Sequence, residues 1–185
     1  MTDYNLILLQ ILSQYLSRNS HSIVKYCKLL NIYMADKSIR PSVVIVKEGK
    51  ILVLKSKYSS GEFYLLPGGK IENMETTVET AIREVKEETN YDISIKKLLY
   101  LQEWIDKIRA KNVMYMVFLG EINSGSETHL NDPWLKEGKI EGIEWKSVEE
   151  LKDEEFHPKA ILPMLEEDIK NEFKNDAIYI DPEIS

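Results

Sequence analysis

The hydrophobic period of the chain changes near Arg40. Before it, Leu6, Leu9, Ile11, Leu12, Tyr15 and Leu16 recur at helical spacing, Asn19-Ser20-His21-Ser22 interrupts them, and a second apolar run extends from Ile23 to Met34. Two short helices are predicted there, Ser22 being a good cap for the second because its side-chain oxygen can accept from an otherwise orphaned helical N–H. After Arg40 the pattern becomes extended. Residues 42–46 and 51–54 are rich in β-branched side chains and flank Glu48-Gly49, which is a hairpin signal. Further strands are expected over residues 98–105, 113–120 and 140–145, where apolar residues fill both alternating faces. Between the hairpin and these strands, Val78, Ala81, Ile82 and Val85 return at spacings of three and four and mark one stripe of a helix. Ser147-Val148-Glu149-Glu150 is a capping signature for a later helix, and residues 160–173 suit a final one. The stretch after Asn175 reads as weakly ordered.

These elements predict a mixed α/β domain over residues 39–174, preceded by a helical extension, 1–38, and followed by a tail, 175–185. With 185 residues and 43% hydrophobic content, the chain has material for one real core. Its single cysteine, Cys27, has no partner for an internal disulfide and reads as a buried helix residue. No basic segment leads into a cleavable apolar stretch and no apolar run is long enough to span a bilayer, so the expected location is cytoplasmic, with no membrane partner.

Charge separates the two parts. Residues 1–40 hold five Lys and Arg against two Asp, a balance of +3, leaving nineteen against twenty-nine, or −10, for the rest; the whole carries −7. That net charge argues against general nucleic-acid binding, while the apolar stripes of the basic N-terminal part must be buried somewhere, against the core or in a homodimer interface.

The candidate chemistry lies in residues 69–91. On a helical wheel Glu84, Glu87 and Glu88 fall within about 100° of one another and away from the apolar stripe, so like charges crowd one face. A solvated acidic face is the bland explanation. Upstream, however, lies Leu65-Leu66-Pro67-Gly68-Gly69-Lys70, where two glycines after a proline let backbone turn tightly and present a carbonyl to a ligand. A bound cation would offset the repulsion. The donors are all oxygens, with no Cys or His pair nearby, which favours Mg²⁺, with Mn²⁺ able to substitute, over zinc.

The spacing itself is distinctive: Gly69, five residues, Glu75, seven residues, then Arg83-Glu84-Val85-Lys86-Glu87-Glu88. It resembles the Nudix box at every fixed position except the last two, where Asn90 stands for a Gly and Tyr91 for an aliphatic residue. Asn90 is the best substitute for Gly at a left-handed position past a helix end; Tyr91 would pack as a large apolar residue or alter the entry into the next strand. The resemblance extends over roughly residues 39–170 and implies the family's α/β/α sandwich. It implies metal ligation by Glu84, Glu87, Glu88 and the Gly69 carbonyl, and an organising Arg83 that pairs with Glu75 to fix the loop, Gly68 included, against the helix. Beyond the box, Pro133-Trp134-Leu135-Lys136-Glu137-Gly138, Glu144-Trp145-Lys146-Ser147 and Glu155-Phe156-His157-Pro158 are similar to MutT-like pyrophosphohydrolases, which implies a further carboxylate at Glu137, with Glu141 and Glu144 as rivals. The implied activity is metal-dependent hydrolysis of a pyrophosphate bond in a nucleotide, a nucleoside triphosphate, ADP-ribose or a similar small molecule, with Glu84 or Glu137 activating water. Where that subgroup reads oxidised guanine with an Asn, this chain has Ala160. Arg40, Lys55, Lys57 and Lys70 are candidate phosphate binders, and Tyr64, Trp104 and Trp134 candidate stacking partners for a base. The competing class is a nucleotide-sensing regulator whose N-terminal helices bind DNA or a protein partner.

Overall fold

A computed structural model describes residues 36–58, 61–126 and 140–184. The expected N-terminal helical pair, Cys27, Trp134 and Glu137 lie outside the described residues.

Glu48 and Gly49 both take positive φ, 52° and 74°, the conformation a two-residue hairpin turn requires. They join β1 (Asp36–Lys47) to β2 (Lys50–Tyr58), yet only Val46 with Ile51 and Lys47 with Lys50 pair. Beyond the turn the two strands part into different sheets. β1 runs parallel to β5 (Lys111–Ser124), which pairs antiparallel with β4 (Asp92–Asp106). β2 pairs antiparallel with β3 (Gly61–Leu65) and with β6 (Ile140–Lys146), and the two-residue strand β7 (Phe156–His157) lies parallel to β3.

Period-two alternation along β1 sends Val43 and Ile45 to one side and Val44 to the other. On the first side they pack with Ala81 and Val85 of α1 (Thr77–Thr89), together with Leu52, Ile93 and Phe118. On the second side Val44 meets Tyr100, Val117 and Phe156, covered by Val148 and Leu151 of α2 (Val148–Lys152) and by Leu162 and Leu165 of α3 (Leu162–Lys170). The expected α/β/α sandwich with a mixed sheet is therefore present. Tyr91 is buried in the α1-side core, taking the large-apolar option. Of the predicted helical stripe, Ala81 and Val85 are fully buried while Val78, in the first turn, is 39% exposed.

Two expectations near the C-terminus are corrected. The final helix is not continuous over 160–173: a 3₁₀ turn (Lys159–Ile161) precedes α3, Pro163 sits in its first turn, and positive φ at Glu172 and Phe173 ends it. The tail expected to be weakly ordered contains β8 (Ile178–Ile184), which pairs parallel with β4. Lys97 Nζ anchors the approach to it by donating to the carbonyls of Phe173 and Asn175. Among the described residues no helix is long and apolar enough to cross a membrane.

Candidate functional site

The loop between β3 and α1 is fastened to β1 as if it were an extra strand. Val43 N donates to Pro67 O at 2.9 Å, Gly69 N to Pro41 O at 3.2 Å and Ile71 N to Ile39 O at 3.3 Å. This proximity demands the glycines. Gly68 has φ 150°, and a Cβ there would lie 2.3 Å from Pro41 O and 2.6 Å from Ser42 Cα. At Gly69 a Cβ would lie 2.2 Å from Glu84 Oε1 and 2.6 Å from Oε2, so the Glu84 carboxylate occupies the space that a side chain would take.

α1 starts from a capping box in which Thr76 and Glu79 satisfy each other's ends: Glu79 N donates to Thr76 Oγ1 at 3.2 Å and Thr76 N to Glu79 Oε2 at 2.8 Å. Glu79, one turn before Arg83, is thus a cap. Arg83 turns to Glu75, donating through Nε at 2.7 Å and Nη2 at 3.0 Å, a two-pronged ion pair that pins the loop to the helix. That pairing, with smaller help from the Thr80 hydroxyl at 2.9 Å, holds the Glu75 carboxyl down at about 2, while Glu75 and Glu84 push the guanidinium up. The remaining nitrogen, Nη1, donates to Glu84 Oε1 at 3.0 Å and to Glu87 Oε2 at 3.5 Å. Glu88, only 5% exposed, accepts from Gly68 N at 2.9 Å. At the far end Asn90 adopts φ 62° and its N–H bonds Lys86 O, the left-handed cap expected of it.

Glu84 and Glu87 therefore meet Arg83 while Glu88 meets a loop amide, and among the described residues no group of three His, Cys, Asp or Glu side chains is closed around a common metal position. Convergence is partial, because Arg83 and the loop amide draw the carboxylates in separate directions. The donor chemistry still suits a hard divalent cation. Glu84 and Glu87 share a cationic nitrogen, and Glu84 and Glu88 abut consecutive glycines, so the oxygen donors lie along the seam between the glycine loop and α1.

The other predicted residues divide by sheet. Arg40 lies between Ile39 and Pro41, both bonded to the glycine loop, and stands opposite exposed Lys70, so the backbone of these two adjoins the loop that Glu84 and Glu88 meet. Lys55 and Lys57 lie on β2, ion-paired to Glu62 at 2.9 Å and Glu141 at 3.6 Å. Tyr64 is corrected from stacking candidate to packing residue: it is buried in the α3-side core, its hydroxyl 3.5 Å from Glu144 and its ring 4.4 Å from Lys146 Nζ. Glu144 also pairs with Lys146 at 3.6 Å. Trp104, partly buried, sits on β4 opposite Val113. Sequence reasoning missed Thr80, buried on α1 and supporting Glu75; its place three residues before Arg83 was the available signal. Lys146 was missed too, and no local pattern marks it.

Residues 38–165 match the family model described as NUDIX domain, so the chain belongs to that family. Among curated relatives, an ADP-ribose pyrophosphatase of Methanocaldococcus jannaschii is 34% identical over 90 residues, covering 45% of this chain and 53% of that protein. Phosphatase NudJ of Escherichia coli is 29% identical over 110 residues, covering 58% and 67%. The match thus spans about half the length of the archaeal relative. A solved NUDIX hydrolase from Nitrosomonas europaea superposes with a TM-score of 0.61 over 77% of this chain and 94% of its own, at 19% identity, and shows the common fold.

Proposed function

We propose that this protein is a divalent-cation-dependent hydrolase that cleaves a pyrophosphate bond in a small nucleotide, with Mg²⁺ as the natural ion and Mn²⁺ able to replace it. The observation that supports the reading best is the placement of the Glu84 carboxylate directly on Gly69, beside Glu87 and Glu88, with Arg83 bracing both loop and helix. Glu84, Glu87, Glu88 and the Gly69 carbonyl would hold the cation. When bound, it neutralises phosphate oxygens and lowers the pKa of a coordinated water. The chain's own part is positional. Arg83 and Glu75 fix the loop against α1, so the carboxylates need not reorganise during reaction. Arg40 and Lys70, flanking the loop, supply positive charge for the substrate's phosphates. The proton of the attacking water goes to a carboxylate, Glu84 or Glu137.

Substrate choice starts with ADP-ribose, because the archaeal relative is named for it, and extends to nucleoside triphosphates, dinucleoside polyphosphates, FAD and nucleotide sugars. Product-resolved assays in Mg²⁺, Mn²⁺ and EDTA test the proposal. Turnover should vanish in EDTA and return with either ion. Full activity in chelator, or none on any of these compounds with metal present, would overturn it.

A further inference from the structure

Gln102 is buried to 1% exposure on β4, and its Oε1 has no hydrogen-bond partner among the described residues. Buried amide oxygens are ordinarily satisfied, and an unmade bond is a standing cost. The position matters as much as the vacancy. Gln102 pairs with Tyr115 of β5, and Tyr115 with Arg40 of β1, so the three form one row across the sheet. Residues directly opposite in a ladder share a face. That face is the one carrying Tyr100 and Ile180, toward α3. Trp104, two residues beyond Gln102, is on it as well. The β4–β8 ladder also shifts register between Gln102 and Trp104, an irregularity of the kind that re-aims side chains beside active sites.

At one end of this row Arg40 is next to Pro41, which bonds Gly69 of the glutamate loop. Gln102 lies two strands away, about 10 Å at a strand spacing of ~4.8 Å. A phosphate near Arg40 and a base near Gln102 is the span of a nucleoside monophosphate. A Gln amide offers an acceptor and a donor side by side, the complement of adenine's amino group and adjacent ring nitrogen. Trp104 supplies an aromatic flank to a planar ring.

We propose that Gln102 is a specificity residue that reads the base edge of the nucleotide, adenine being the base whose edge it fits, with Arg40 on the phosphate side and Trp104 beside the ring. The inference rests on the hydrolase reading for its orientation, but base recognition needs no hydrolysis, so the two are tested separately.

The test is calorimetric binding of AMP and of ribose 5-phosphate, which lacks the base, to the full chain and to Gln102→Leu, with thermal melting to confirm folding. AMP should bind the variant about tenfold more weakly, the value of one hydrogen bond, while ribose 5-phosphate binds both proteins equally. Should the Leu variant fail to fold, Gln102→Met, unbranched like Gln, takes its place. Unchanged AMP affinity, an equal loss for both ligands, or no AMP binding by the unaltered protein would each overturn the assignment; the first would mean that Oε1 meets only a buried water. Base-dependent binding in a protein that hydrolyses nothing would sink the proposed activity and leave this inference standing.

Discussion

Two buried carboxylates on opposite faces of the sheets show how differently the fold treats charge. Asp168, on α3, accepts from Tyr100 Oη at 2.5 Å and from Asn175 Nδ2 at 2.7 Å, both neutral donors, and burial together with this bond pushes the Tyr100 hydroxyl's pKa up. One charge meets two donors from separate elements, and the network ties α3 to β4 and to the tail. Across the sheets, Glu88 is equally buried but belongs to a crowd: Glu75, Glu84 and Glu87 surround one guanidinium, and Glu88 accepts from one loop amide. The first arrangement is complete as it stands. The second crowds like charges around a single guanidinium, which is unfavourable for stability and useful for holding a cation.

That contrast predicts opposite responses to substitution. Glu87→Gln should lower turnover by ~10² to 10⁴, the usual contribution of a positioned catalytic group, while melting stays unchanged or rises through relief of repulsion. Loss of folding on circular dichroism would instead make Glu87 structural.

Gly69→Ala should act on the same site through geometry. Its Cβ would displace the Glu84 carboxylate, the movable end of a side chain, so turnover should fall ~10²-fold with folding retained. Normal turnover would show that Glu84 does not need its place on the loop.

Asp168→Ala should do the reverse, leaving turnover per folded molecule intact and lowering stability by ~1.5–3 kcal/mol, because two buried donors lose a charged acceptor. Denaturant titration measures the one and steady-state kinetics the other. A variant as stable as the parent would remove the structural half of the contrast.

The smallest effect concerns Glu166, which joins α2 and α3 by pairing with Lys152 and Lys170, each at 2.6 Å, and is thereby held at about 2 against an ordinary 4.5. A carboxyl depressed on folding stabilises fully above its unfolded pKa and loses that contribution as pH falls toward its folded value. Glu166→Gln should therefore flatten the decline of stability between about pH 4.5 and 2, modestly, since exposed ion pairs are weak. An identical acid profile would show the pair to be without thermodynamic effect.

Legibility followed sequence distance. The Glu48-Gly49 turn, the α1 stripe, the Ser147 cap and the Asn90 terminus were readable because each depends on residues within a turn or two of one another. So was the oxygen-only donor set, since Gly69, Glu75, Arg83 and the three glutamates lie within twenty residues. Strand partnership was not readable. The hairpin signal marked the turn between β1 and β2 but not how far they pair: only two residue pairs form, and each strand mates elsewhere. β8 gave no signal because its Pro and acidic residues resemble a loose tail; pairing with β4 decides its conformation.

By itself, then, the sequence determined the kind of chemistry on offer: carboxylates at helical spacing beside a double-glycine loop, with an arginine one turn before Glu87. Those are local properties of backbone geometry and side-chain type. The tertiary structure decided that Glu84 rests on Gly69, that Glu88 is buried against Gly68, that Tyr64 packs rather than stacks, and that Arg40 and Gln102 share one row. Such contacts join residues from 15 positions apart, Gly69 and Glu84, to 80 apart, Tyr64 and Glu144. Their formation depends on which apolar faces meet across the sheets, and no local period along the chain encodes that.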